Sequence, residues 1–325
     1  MNFNSDRLQS RRSRNSPLIV NLKRSSSIES VHRVHAVVSD SKGRVLMSAG
    51  STDIETYIRS ALKPFQALPF ISSGTAEKID CGEKSVAIIC ASHKGTKDHA
   101  REAFKILWNS DVSVDLLQCP IPVNKSSRLE HNCSGKHAGF LATSKKMGWQ
   151  LENYLDGKHP LQVEINRRVA ELLCIPPEEL IAARDDCGAP TLLLQLSQMS
   201  LLYAHLSESK NPDFEQIRRA MLAHPQLIAG VGGFDTELMN RAHGQLVSKG
   251  GAEGIQCLSK VGEGIGLAIK VEDGSKRAKQ AVALHLMRQL EWMTPTGLQE
   301  LDEKILLLAP GVQLEVNGEL RFQES

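Results

Sequence analysis

The residues best suited to chemistry fall in four short runs, the first being Arg59-Ser60-Ala61-Leu62-Lys63-Pro64. A lysine three residues after a serine at a helix start stands one turn from the hydroxyl, on the same face. The positive end of the helix dipole favours a developing alkoxide at such a serine. A lysine stripped of water loses basicity and becomes competent as a general base. Pro64 is tolerated only if the helix begins near Ser60, because proline lacks the N–H that a helix interior needs. A plain N-cap serine beside an exposed lysine explains the same spacing, since S-x-x-K is a short pattern.

The second run, Cys90-Ala91-Ser92-His93-Lys94-Gly95, follows the apolar stretch Val86 to Ile89, so Ser92 stands where a buried segment meets a loop. Its hydroxyl suits a proton relay or a substrate contact, and equally a cap for the helical stretch from Thr96 to Asn109. The third, His131-Asn132-Cys133-Ser134-Gly135-Lys136-His137, packs a cysteine, a lysine and two histidines into seven residues. It is no phosphate loop, because neither a hydroxyl residue after Lys136 nor the earlier glycine is present. Downstream lies Arg184-Asp185-Asp186-Cys187-Gly188. Two lone cysteines make a weak zinc signal without C-x-x-C pairs, and inert buried thiols are the plainer reading. The fourth run, Val247-Ser248-Lys249-Gly250-Gly251, sets a lysine before glycines that let a ligand approach the backbone. A surface lysine in a glycine loop is its bland alternative. The Gly262-Glu263-Gly264-Ile265-Gly266 segment has the wrong spacing for a dinucleotide loop.

Strands at both chain ends and helices between them must position these runs. Val34, Ala36 and Val38 alternate, Asp40 to Gly43 supplies a turn, and Val45-Leu46-Met47 completes a hairpin. Helices are expected over Ser60–Ser73, His99–Asn109, Gly135–Met147, Pro160–Leu173, Thr191–Leu206, Asp213–Ala223 and Ser275–Trp292. Val86 to Ala91 reads as a strand or a buried helix segment. Ile265, Leu267, Ile269 and Val271 alternate again, and Asn317-Gly318 signals a type I′ hairpin. This order argues for an α+β fold with a largely antiparallel sheet. One catalytic domain is expected over 29–325, with a sheet part near 29–75 and 240–325 and a mainly helical part near 76–239. Residues 1–28, rich in Ser and Arg, read as a disordered basic arm.

Lys plus Arg number 39 against 37 Asp plus Glu, a net charge of +2, which removes the electrostatic case for nucleic acid or an anionic membrane. An aromatic share of 4% argues against stacking platforms for single strands. Seven cysteines, an odd count, favour a reducing compartment over a disulfide framework. No apolar run is long enough to span a membrane, and the arginines near the N-terminus precede too short an apolar stretch for a signal peptide. A cytoplasmic protein is expected.

In order along the chain, Ser30-Val31-His32-Arg33, Arg59-Ser60 with Lys63-Pro64 and Gln66-Ala67, and Cys90-Ala91-Ser92-His93 form a set with Asn132-Cys133-Ser134-Gly135-Lys136-His137. Asp185-Asp186-Cys187, His224-Pro225 with Ala229-Gly230, and Lys249 with Gly251-Ala252-Glu253-Gly254 complete it. The set resembles the rhizobial-type (class 3, asparaginase II) L-asparaginases, from about Glu29 to Gly274. That resemblance implies a serine β-lactamase/glutaminase-like fold and asparagine hydrolysis through an acyl-enzyme, in a homodimer without organic cofactor. It implies Ser60 as nucleophile, Lys63 as its base, and Ser92 with Lys249 as a second Ser–Lys pair completing a proton relay. Arg59, His93, Asn132 and Asp185 would contact substrate, and Cys133, Lys136 and Cys187 would be ligands of a Zn2+ ion not required for the serine chemistry. The family tends to carry an arginine near the position of Gly233. A β-lactamase, penicillin-binding or glutaminase-like acyl hydrolase and a non-catalytic binding protein on the same fold remain as alternatives.

Overall fold

The computed structural model describes residues 16–208, 210–306 and 308–323. Strands run β1 (Leu18–Arg24), β2 (Ser27–Asp40), β3 (Val45–Ala49), β4 (Glu55–Tyr57), β5 (Ile181–Arg184), β6 (Pro190–Gln195), β7 (Leu246–Gly250), β8 (Ile255–Lys260), β9 (Ile265–Val271), β10 (Val312–Asn317) and β11 (Arg321–Phe322). The longer helices are α1 (Glu83–Ile89), α2 (Lys97–Asn109), α3 (Ser134–Met147), α4 (Pro160–Leu173), α5 (Leu196–Ser207), α6 (Pro212–Ala223), α7 (Phe234–Arg241), α8 (Lys276–Gln289) and α9 (Pro295–Ile305).

An antiparallel sheet takes strands from both ends of the chain, in the order β10-β1-β2-β9-β8-β7. Strands β3 and β11 lie beside the C-terminal half of β2. A small sheet, β4-β6-β5, sits within the helical part. This is the α+β architecture the element order implies. Among the described residues no helix is long and apolar enough to cross a membrane.

Alternation along the central strands sorts side chains between two cores. Val34, Ala36 and Val38 of β2 and Leu267, Ile269 and Val271 of β9 join α7, α8 and α9 in one core. Val37 and Ala268 face the other, which holds α1, α3, α5 and α6. Residues on that second face are small where α5 crosses β9. A Cβ on Gly266 would lie 2.1 Å from the Ser200 carbonyl and 2.4 Å from the Ala204 nitrogen.

Several sequence expectations change. Within 16–28, read as a disordered arm, Leu18, Val20 and Leu22 are buried and β1 pairs with β2 and β10. The period-2 signal is present there, hidden among serines and arginines. The rest of the expected arm, 1–15, lies outside the described residues. The stretch 60–73 is broken into a 3-10 turn (Arg59–Leu62) and helices Lys63–Gln66 and Leu68–Ser72, because Pro64 and Pro69 each remove a helical N–H. Val86 to Ile89 is helical in α1. The expected helix Thr191–Leu206 divides into β6 and α5, its β-branched and leucine start pairing with β4 and β5. Asn317-Gly318 is no hairpin: β10 pairs with β1 and β11 with β3, so the chain steps along one sheet edge without reversing.

Candidate active site

A cleft of about 610 Å³ opens between the sheet and the helical part. Ser60, Ser92, Asn132, Cys133, Asp185, Cys187 and Lys249 line it. Four sequence runs distant along the chain therefore meet at one cavity.

Ser60 follows a backbone held out of the ordinary. Arg59 has φ +53°, the left-handed region that costs a non-glycine residue free energy. The small sheet holds it there: Ile58 N–H donates to Leu192 O at 3.0 Å and Arg59 N–H to Thr191 Oγ1 at 3.0 Å. The guanidinium adds Nε to Asp185 Oδ1 at 2.7 Å and Nη2 to Asp186 Oδ2 at 2.6 Å. Arg59 and Asp185 are thus bonded to each other at the cleft wall. From below, Tyr203 on α5 donates its hydroxyl to Ala61 O at 2.8 Å.

Ser92 sits at the end of the α1 segment, its N–H bound to Ile228 O at 2.8 Å. Two fully buried lysines converge on its hydroxyl, Lys63 Nζ at 3.0 Å and Lys249 Nζ at 2.9 Å. Lys63 Nζ also donates to Ala91 O and, at 3.5 Å, to Asn132 O. Lys249 Nζ donates to Gly250 O at 2.7 Å. Burial pushes Lys249 down to about 7, Asp235 opposing the fall and Lys63 and Lys279 adding to it. Among the described residues Ser60 Oγ makes no hydrogen bond, so Lys63 is joined directly to Ser92 and not to Ser60.

Asp235, which the sequence reading missed, clamps β7 around Lys249. Its carboxylate accepts from Ser248 Oγ at 2.7 Å, Gly250 N–H at 2.9 Å and Gln256 Nε2 at 2.8 Å. Burial alone would raise this carboxyl, but Lys249, those hydrogen bonds and Lys279 together hold it below its usual value. No local pattern around Gly233-Phe234-Asp235 marks it, since its partners come from β7 and β8.

Cys133, Lys136 and Cys187 are brought together at one wall. The two thiols share a hydrogen bond, and Lys136 Nζ donates to Cys187 Sγ at 3.3 Å. The bond from Cys187, helped against burial by Lys63, His131 and Lys136, draws Cys133 well below the usual thiol range. Among the described residues no group of three His, Cys, Asp or Glu side chains is gathered for a metal, so the third donor here would be an amine. The two sulfurs suit zinc in donor type, whereas Lys136, which against burial Cys187 and Cys133 hold toward the ammonium, would first have to give up its proton to serve as a third donor. All seven cysteines are free, and Cys174 alone is exposed.

His93 does not reach the cleft. Its Nδ1 accepts the Gly95 N–H, so Nε2 carries the proton and donates to Ser134 Oγ at 3.1 Å. The ring stacks on His99 at 4.8 Å, and burial, then His99, hold it well below its usual value. At Gly233, where the family tends to carry arginine, a Cβ would meet Ala229 O at 2.5 Å.

No curated protein sequence matches the chain. Among solved structures it is similar to Mglu in its glutamate form, at 12% identity and a TM-score of 0.44, over 80% of this chain and 61% of that one. It is also similar to a β-lactamase from Mycobacterium bovis, at 10% identity and a TM-score of 0.38, over 80% and 95% of the two chains. The chain thus spans about three fifths of the length of Mglu. The family model for L-asparaginase II matches residues 20–322, and the chain belongs to that family.

Proposed function

We propose that the protein is an L-asparagine amidohydrolase that works through a serine acyl-enzyme, as a cytoplasmic homodimer. The observation that carries the reading is the hydroxyl of Ser92 gripped by two buried lysines in the cleft that Ser60 also lines.

Ser60 Oγ attacks the side-chain amide carbon and forms the C–O bond. Its proton passes to Lys63, which releases one to Ser92, which releases one to Lys249. Lys63 and Ser92 each take one proton and give one, and Lys249 only takes, so the proton from Ser60 ends as one added positive charge on Lys249. The protonated relay then donates to the departing nitrogen, ammonia leaves, and water resolves the ester to aspartate and regenerates Ser60. Lys249, with a pKa near 7, suits the last station because it is as ready to take a proton as to return one. Zinc, where bound, would be held by Cys133, Lys136 and Cys187 and would supply Lewis acidity toward a carbonyl oxygen. Lys136 would lose its proton on ligation. Metal analysis of the purified protein that returns no zinc removes that part of the proposal.

The direct Ser92–Lys249 bond favours a second reading, in which Ser92 is the nucleophile and Lys249 its base. Ammonia release from L-asparagine, L-glutamine and a penicillin control tests the reaction, with asparagine expected to dominate. Ser60→Ala should lower turnover by a factor of at least ~10³ without unfolding the protein. Peptide mapping of acid-quenched enzyme should find the acyl group on the Ser60 peptide; finding it on the Ser92 peptide reverses the two serines.

A further inference from the structure

The cleft continues past Gly250-Gly251 to the first turns of α8, where Lys276, Lys279 and Gln280 line its wall. Spaced i, i+3 and i+4, they share one face of the helix. Gln280 is only 8% exposed, its amide makes no hydrogen bond among the described residues, and its polar end is left open at the cleft wall. An amide with no protein partner on a cavity wall keeps a donor and an acceptor available to a ligand. Lys276 likewise has no ion pair or hydrogen bond among the described residues. Lys279 Nζ donates to Gly251 O at 3.1 Å and Ile255 O at 3.0 Å, which leaves one N–H for another acceptor. Burial depresses Lys279, Asp235 opposes the fall and Lys276 deepens it, a strain that an incoming anion relieves.

The passage between the two ends of the cleft is walled by bare backbone. A Cβ on Gly250 would lie 2.9 Å from Gln256 Oε1 and 3.1 Å from Lys279 Nζ. Glu253, on the same rim, forms no ion pair among the described residues. Asp235 is already engaged by Ser248, Gly250 and Gln256. One free carboxylate therefore faces the same space as a cationic, amide-bearing helix face.

We propose that this α8 face reads the amino-acid end of the substrate: Lys276, Lys279 and Gln280 bind its α-carboxylate and Glu253 its α-ammonium, while the side-chain amide points toward Ser60 and Ser92. The assignment rests on the amidohydrolase reading of the cleft and names how that cleft selects a free amino acid.

Calorimetry with L-aspartate and with β-alanine, which is aspartate without its α-carboxylate, tests it on the full chain. Wild-type protein should bind L-aspartate at least ~10-fold more tightly than β-alanine. Gln280→Leu and the isosteric Gln280→Glu should both erase that preference, and Lys276→Ala should narrow it. The same Gln280 variants should raise KM for L-asparagine ~10-fold with kcat within ~3-fold. Folded Gln280→Glu protein that keeps the full preference overturns the proposal, as does wild-type protein that binds neither compound. Should wild-type protein hydrolyse no amide while Gln280→Glu still abolishes aspartate binding, the amidohydrolase reading fails and the carboxylate site stands.

Discussion

Lys249 sits near the balance point between ammonium and amine, and that balance is set by named neighbours. Burial lowers it to about 7, Asp235 and Cys133 pull upward, and Lys63 and Lys279 push downward. In the proposed relay Lys249 accepts the proton as the neutral amine, so kcat should rise with pH through about 7. Asp235→Asn keeps the size of the clamp and removes its charge. Without that charge the ammonium form is less favoured, so the acid limb of the kcat profile should move to lower pH by about one unit. A pH–rate profile with an unmoved limb would remove Lys249 from the relay. At this scale each of Ser60, Lys63, Ser92, Lys249, Cys133 and Cys187 stands out in a short run with its own chemical logic, and the fold brings those runs to one cleft. The sequence is silent on Asp235, whose partners come from β7 and β8. It also misplaces His93, since adjacency to Ser92 says nothing about which way a ring turns once His99 stacks on it.

Each element that carries the chemistry is braced by one that does not. The Arg59-Ser60 turn is held by the small sheet above and by Tyr203 of α5 below. Helix α5 approaches β9 closely only because position 266 lacks a side chain. Gly266→Ala should therefore lower stability by about 2 kcal/mol and reduce activity as well, through Tyr203 and Ala61. Urea unfolding together with ammonia release checks this; an unchanged midpoint would show that α5 yields without cost. The periodicity of α4, α6 and β9 is legible in the sequence because their apolar faces are continuous. The S-x-x-K segment is less so: two prolines cut what looks like one helix, and only the fold decides where the pieces turn. The strand β6 is hard to read because its own leucine run, Leu192 to Leu194, passes without a break into α5.

Across the whole molecule, β1 closes the sheet by joining β2 to β10. Leu18, Val20 and Leu22 are buried there, and each contributes about 1.5–3 kcal/mol by leaving water. Their sum is comparable with the whole stability of an ordinary domain. Removing residues 1–26 should thus leave protein that fails to unfold cooperatively in a thermal melt. A melt like that of the full chain would return this segment to the status of a dispensable arm. The sheet's membership, strands from both ends around a helical middle, is readable from the sequence. Its edge is not, because pairings such as Ile19 with Asn317 leave no local trace.

The long central strand has a consequence for how the protein is made. One edge of β2 finds β1 and β3 at once, but its other edge waits for β9, with Val34 meeting Val271. At about 5–20 residues per second, a ribosome takes roughly 12–50 s to supply that partner. Through that interval the nascent chain presents an unpaired strand edge, the kind of surface on which chains associate wrongly. Lys249 lies in the same late segment, so the lysine that faces Ser92 and the strand that covers this edge are made in nearly the same moment of synthesis.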